Sequence, residues 1–243
     1  MAFLGQTDYT AWDMEAQSIS SLQGAWRQTS VLLRNYEYFG YDNTDQFYYG
    51  ACFTFGIDQY VVGNAISDLD RVGGLPNVSN HYGNNVSDAA TRAAYYALAV
   101  LTTFPEATTF VEVGGGSGLF ALALFKFAAL LKREVRAFSS YELSGPQSLQ
   151  ASYAKDSPIS YKDAGTFGAD CDNADVLVSL NGISEFEKSV REQYLSNLLP
   201  KCNGYFFVWN SPEYSDALKD AHAFPEQPTT SIFSTVVTNS AKL

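Results

Sequence analysis

Four glycines crowd into the stretch FVEVGGGSGLFALALFKFAALLK (residues 110–132), where a short apolar run hands over to a long one. Gly114, Gly115, Gly116 and Gly118 follow Glu112, and their core spacing is E-x-G-x-G-x-G. Glycine lets the backbone turn tightly and lets a ligand approach where a Cβ would otherwise stand. A helix starting after such a turn offers unpaired N–H groups that favour an anionic group. The chemistry these residues suit is the cradling of a cofactor by main chain. Their spacing narrows the choice of cofactor. A dinucleotide fingerprint G-x-G-x-x-G begun at Gly114 meets Leu119 where its third glycine belongs, and no Gly-Lys-Ser/Thr follows to make a Walker A loop.

The elements around the loop predict where it sits. After Pro105 short apolar runs alternate with helical patterns. TFVEV (109–113), VRAFSSYE (135–142), ISYKD (159–163), VLVSLN (176–181), YFFVWN (205–210) and SIFSTVVT (231–238) read as strands. Helical patterns cover 117–133, 145–155 and 213–222, and Ile183, Phe186, Val190, Tyr194 and Leu198 mark one face at helical spacing. Such alternation implies a Rossmann-like, doubly wound, mostly parallel sheet covered on both faces. Ligands of these sheets bind beyond the carboxyl ends of the strands, which is where Gly114–Gly118 falls.

Before residue 105 the texture is different. A polar amphipathic helix from about Glu15 to Arg34 precedes an aromatic-rich stretch, in which CFTFGIDQY alternates like a strand. Its Tyr and Phe residues suit either a packing layer or lid, or a stacking platform for a planar ligand. DAATRAAYYALAVLTTF (88–104) reads as a helix capped by Ser87 or Asp88. The expected division is therefore an N-terminal extension or cap, 1–105, and a Rossmann-like domain, 106–243.

Composition excludes some functions. The chain has 243 residues, 46% hydrophobic and 17% charged, which suits a packed globule. Its net charge of -11, with only 15 Lys and Arg, argues against a nucleic-acid partner. The apolar run Leu119–Leu131 is too short to span a bilayer. Cys52, Cys171 and Cys202 have no metal-ligand spacing, so no metal is expected and free thiols in a reducing compartment are. The N-terminus lacks the features of a signal peptide, which makes the expected location cytoplasmic.

The E-x-G-x-G-x-G loop resembles motif I of the class I S-adenosylmethionine-dependent methyltransferases. Paired with the later SLNGISEF (179–186), it is similar to the sugar O-methyltransferase family, with Phe186 at the last position of that second motif. The resemblance spans roughly residues 88–212. It implies S-adenosyl-L-methionine as cofactor, with Glu112, Gly114, Gly115, Gly116 and Gly118 forming its loop. It places Glu142 at the ribose hydroxyls, Asp163 near the adenine, and Asn181 beside the cofactor. The implied partner is a small-molecule acceptor such as a sugar hydroxyl. In the same family a seventh, antiparallel strand closes the sheet. Only NSAKL follows Thr238, so that last hairpin is expected to be shortened or rearranged.

Several of these residues have plainer readings. Glu142 suits surface solvation, Asp163 suits capping a short helix, and Ser184 with Glu187 forms an S-x-x-E capping box. A hydroxyl acceptor needs its proton removed by a His or carboxylate in reach. Of the two histidines, His222 sits at the far end of the expected 213–222 helix, roughly 15 Å from the loop edge at ~1.5 Å per residue. His81, just upstream of the helix from Asp88, and Glu185 are the expected catalytic candidates. The competing reading is a non-catalytic, methyltransferase-like assembly subunit in a homo- or hetero-oligomer. The long apolar helix after the loop, which wants cover on both faces, favours it.

Overall fold

A computed structural model describes residues 14, 16, 44–71, 79–81, 83–211, 213–226 and 235–240. All but residue 16 of the 15–34 helix lies outside these residues. Helices α1 (Thr44–Phe53) and α2 (Gln59–Asp70) lead to an antiparallel hairpin, β1 (Ser79–His81) and β2 (Asn84–Val86), and to helix α3 (Asp88–Thr103). Then come β3 (Thr109–Val113), α4 (Leu119–Leu130), β4 (Ala137–Glu142), α5 (Ser144–Tyr153) and β5 (Ile159–Asp163). The chain continues through β6 (Ala174–Leu180), α6 (Gly182–Glu185), α7 (Lys188–Leu198), β7 (Cys202–Trp209), β8 (His222–Pro225) and β9 (Thr235–Thr238).

Seven of these strands form one sheet in the order β5-β4-β3-β6-β7-β9-β8. From β5 to β7 all neighbours are parallel, and β9 is antiparallel to both β7 and β8. The fold is the Rossmann-like, mostly parallel sheet expected. The chain steps outward from β3 to β5 and then returns to place β6 on the other side of β3. That reversal opens the crevice at the carboxyl ends of β3 and β6.

Three sequence expectations change. Both strands of the last antiparallel pair are present: Thr235–Thr238 is the seventh strand of the large sheet in chain order, and His222–Pro225, expected as the end of a helix, is the sixth. The 213–222 helix is only a 3₁₀ turn at Asp216–Leu218, capped by Ser215. Leu218 is its single buried residue, so no apolar stripe exists to carry a longer helix. The stretch CFTFGIDQY is not a strand. Its first residues end α1, and Asp58 caps α2 by accepting from the Tyr60 and Val61 amides.

Each face of the sheet packs its own hydrophobic cluster. On one face Phe110, Phe138, Val176, Val178 and Phe206 meet α1 to α4. This cluster joins Phe47 and Val62 from the N-terminal part to the core of the sheet. On the other face Val111, Val113, Tyr141, Leu177 and Trp209 meet Tyr194, Leu195 and Leu198 of α7. Small residues let α3 and α4 approach closely: Ala90, Ala94 and Ala97 on one, Ala121, Ala123 and Ala128 on the other, all buried. The apolar α4 thus finds its cover within the chain.

Polar ties fix where α3 begins and ends. The Ser87 side chain caps α3 at Ala90 N, while the Ser87 amide and hydroxyl both donate to buried Asp70 at the end of α2. At the other end Arg133 donates to the carbonyls of Leu101, Phe104 (2.9 Å) and Ala107 (3.2 Å). Leu101 O belongs to the last turn, where a helix leaves carbonyls without an intrahelical partner, and Phe104 O also accepts from Ala107 N at 3.1 Å. Arg133→Ala should cost about 1–3 kcal/mol, read as a lower denaturation midpoint with unchanged m-value. An unchanged midpoint would mean water replaces the guanidinium without loss.

Candidate functional site

Gly114, Gly116 and Gly118 all take positive φ, 73°, 55° and 79°, so the loop needs glycine for its path alone. Gly115 needs it for space: a Cβ there would stand 2.5 Å from Glu112 Oε2. The glycine backbone therefore lies directly over the Glu112 carboxyl. That carboxyl is buried, and its Oε2 makes no hydrogen bond among the described residues. Burial, together with the negative charge of Glu142, pushes its pKa up to about 8.

Glu142, at the end of the neighbouring strand, holds the loop from the side. Its Oε2 accepts from Gly116 N at 2.7 Å and its Oε1 from Leu143 N at 2.9 Å. Gln150 of α5 completes the brace by donating to Gly116 O at 2.8 Å. The carboxylate is buried and built into the loop, so the surface-solvation reading of Glu142 fails.

The wall facing the loop comes from the end of β6. Asn181 adopts positive φ (73°), and its buried Oδ1 lacks a partner among the described residues. Gly182 follows, and its Cα lies 3.0 Å from the place a Gly114 Cβ would occupy, so the two turns interlock. Three residues on, Glu185 ends α6 and its Oε1 accepts from Asn210 Nδ2 at 2.6 Å. Glu185 is open to solvent, yet surrounding protein raises its pKa, while the Asn210 bond and the Arg92 charge pull it back. An accessible carboxylate held up in this way suits proton transfer. The Ser184–Glu187 capping box does not form. Ser184 instead bonds Asn181 O and Asn210 Oδ1, and Glu187 starts α7 without a side-chain cap bond.

The structure thus brings together Glu112, Gly114, Gly115, Gly116, Gly118, Glu142, Asn181 and Glu185. Asp163 ends β5 in register with Glu142, and its Oδ1 accepts from Gly165 N at 2.8 Å, so it does cap the following 3₁₀ turn. His81 is packed into the N-terminal layer. It is buried, stacked on Tyr48 at 4.6 Å, with Nε2 3.2 Å from Asp45 Oδ1. Among the described residues no hydrogen bond, ion pair or ring contact joins it to the loop. His222 begins β8 at the amino edge of the sheet, so its exclusion holds for a different reason from the helix expected.

Residues that sequence reasoning passed over also enter the site. Gln150 and Asn210 brace it, and Arg92, buried on α3, lies near both Glu226 (3.8 Å) and Glu185. Arg92 alone had a visible signal, a lone cation in an alanine-rich helix. Among the described residues no cluster of His, Cys, Asp and Glu could hold a metal ion, and no helix is long and apolar enough to cross a membrane.

No protein-family model and no curated protein matches the chain. Solved structures with similar folds include a protein provisionally described as an O-methyltransferase, from Nostoc punctiforme PCC 73102. It has 12% identity and a TM-score of 0.47 over 60% of this chain and 54% of that one. The N-terminal domain of EvdMO1 with SAH bound has 16% identity and a TM-score of 0.41, over 76% and 83%. CalS10, an amino pentose methyltransferase from Micromonospora echinaspora, has 17% identity and a TM-score of 0.39, over 55% and 57%. The chain spans about half the length of the Nostoc protein. At such scores and identities these likenesses do not bear on its chemistry.

Proposed function

We propose that the chain is an S-adenosylmethionine-dependent methyltransferase acting on a hydroxyl of a small molecule, with a sugar as the acceptor class. The observation that carries this reading is the E-x-G-x-G-x-G loop over buried Glu112, tied by Gly116 N to the Glu142 carboxylate at the carboxyl edge of the sheet. Positive-φ glycines put no Cβ in the way of a ligand at the loop, and two carboxyls beside it suit a cationic one. The expected binding set is Glu112, Gly114, Gly115, Gly116, Gly118, Glu142 and Asn181, with Asp163 at its margin. When bound, the cofactor supplies a methyl group already activated by its sulfonium.

The chain's own part is to hold the acceptor in line and to take its proton. Glu185 is the better placed of the two base candidates, because it is accessible and lies three residues past Gly182, which packs against the Gly114 turn. His81 is the weaker one, since Tyr48 and Asp45 already occupy its ring. In this reading the N-terminal extension or cap expected over 1–105 contributes to the acceptor side. The assembly-subunit alternative draws on exposed Phe53 (76%) and Tyr60 (54%), apolar surface of the kind a partner would cover.

Incubation with methyl-labelled cofactor and a panel of sugars and small alcohols tests the activity. Label should appear on a hydroxyl oxygen. Label on none of them, with the cofactor bound, would favour the assembly reading. Gly116→Val tests the loop. The new residue is forced towards a φ of 55° that costs about 1–2 kcal/mol, so cofactor affinity should fall about tenfold or more with the fold intact. Unfolding of the variant instead would make the loop core packing.

A further inference from the structure

The opening turn of α7 carries two cations, Lys188 and Arg191, and no acidic residue. That is the reverse of what a helix start favours, because its free amides already carry partial positive charge. Glu187, at the N-cap, makes no side-chain cap bond. Lys188 is exposed, but Arg191 is only 4% exposed. Its Nε is buried without a hydrogen-bond partner, and among the described residues the guanidinium donates no hydrogen bond at all. A guanidinium has five N–H donors, and a buried charge whose donors stay unused is costly.

The protein around Arg191 holds the charge in place without filling its donors. The guanidinium carbon lies 5.5 Å from the centre of the Trp209 ring, a cation–π contact that uses no N–H. Its ion-pair partner among the described residues is Glu192, whose Oε1 is 3.9 Å from Arg191 Nε, beyond hydrogen-bond reach. Glu192 is held from elsewhere: the buried Ser215 hydroxyl donates to its Oε2 at 2.9 Å. Ser215 also accepts from Ala217 N at 3.2 Å, so the carboxylate is anchored where it stands. What suits the unused donors of a guanidinium is an oxyanion, a carboxylate or a phosphate, which can accept two parallel bonds. We propose that Arg191 anchors an anion subsite at the carboxyl end of β7, and that the acceptor is an acidic or phosphorylated hydroxy compound whose carboxylate or phosphate binds there.

The acceptor half of this inference rests on the methyltransferase reading, and the subsite does not. Trp209 ends β7 at the same edge of the parallel sheet as the glycine loop. Asn210 follows it directly and donates to Glu185 at 2.6 Å, so the subsite adjoins the residue that holds the proposed base. Tyr214 stacks on the same Trp209 ring at 5.6 Å and is 47% exposed, which brings open surface into the neighbourhood of the guanidinium. Arg191 itself is almost covered. The subsite therefore takes the terminal oxyanion of a ligand, not its body. The chain's net charge of -11 opposes this little, because charges farther off than ~8–10 Å are screened by salt.

Inorganic phosphate, titrated into the full chain, tests the subsite through the NMR signals of the arginine Nε–H groups, with Arg191 assigned by its loss in Arg191→Gln. The Arg191 signal should shift saturably, while that of exposed Arg71 does not. Glu192→Gln can still accept from Ser215 but removes the competing charge, and should tighten phosphate about two- to fivefold. Phosphate that moves no arginine signal, or moves all alike, overturns the subsite, as does weaker binding in Glu192→Gln. Methyl-labelled cofactor with glucuronate, glucose 6-phosphate and glucose tests the acceptor. One of the two anions should be labelled in preference to glucose, and which one tells carboxylate from phosphate. Arg191→Gln should reduce that preference about tenfold or more, through KM and not kcat. Should it fail to fold, Arg191→Lys, which keeps the charge but not the planar fork, takes its place. Equal labelling of glucose overturns the acidic acceptor and leaves methyl transfer standing. Label on none of the three also overturns it, and label on another alcohol would then keep the methyltransferase reading, with the phosphate titration judging the subsite alone.

Discussion

Glu185→Gln should lower methyl transfer by about 10²–10⁴-fold while cofactor affinity stays within about twofold of wild type. The amide keeps the side chain's size and its contact with Asn210 but cannot take a proton. As a base, Glu185 must be ionised, so turnover should rise with pH through its raised pKa and then level off. The Asn210 bond stabilises the ionised form, and Asn210→Ala should therefore move that rising limb to higher pH. Arg92→Met should do the same through the lost positive charge. Loss of affinity together with turnover would mean that Glu185 holds the cofactor. Unchanged turnover would return the role to His81, which would first have to leave its stack on Tyr48.

The second large effect is on stability, and its sign is unusual for a carboxyl. Glu112 has a folded pKa of about 8 against 4.5 for the free group, so the folded state holds its proton more tightly than the unfolded state. Its contribution is fully present below the unfolded pKa and is lost as pH rises towards the folded pKa. At about 1.4 kcal/mol per unit, the loss between those limits amounts to several kcal/mol. Gln copies the neutral carboxyl and does not titrate. Glu112→Gln should thus match the wild type near about pH 4.5 and become progressively more stable than it by about pH 8. Denaturant unfolding across that range measures the gap. A gap that does not change with pH would show that Glu112 is ionised throughout, with a cation or bound donor beside it.

Much of this arrangement was readable before the structure, because it depends on local order along the chain. Strand, glycines and helix follow one another at 109–130, and the alternation after Pro105 forces the parallel sheet that puts the loop at a carboxyl edge. The end of the chain was misread because SPEYSDALKD has the polar look and Ser215 cap of a helix start but only Leu218 to bury. The short edge strand HAFP stops at a proline, which an edge tolerates and a central strand does not. CFTFGIDQY alternates like a strand, yet the Asp58 cap outweighs the alternation. The alignment of Glu112, Ser140 and Tyr161 across β3, β4 and β5 could not be foreseen at all. It exists only through the register between three strands, and no sequence pattern states a register between strands separated by helices.

The central claim is that the loop from Gly114 to Gly118 takes S-adenosylmethionine, and direct titration of the purified full chain with S-adenosylhomocysteine tests it best. The product form removes the transferable methyl, so the heat reports binding alone. One site with a micromolar-range dissociation constant, about -8 kcal/mol, is the expected result, with no comparable heat from NADH. No heat and no thermal shift at millimolar ligand would contradict the account, and fingerprint-like affinity for NADH would replace it with a different cofactor.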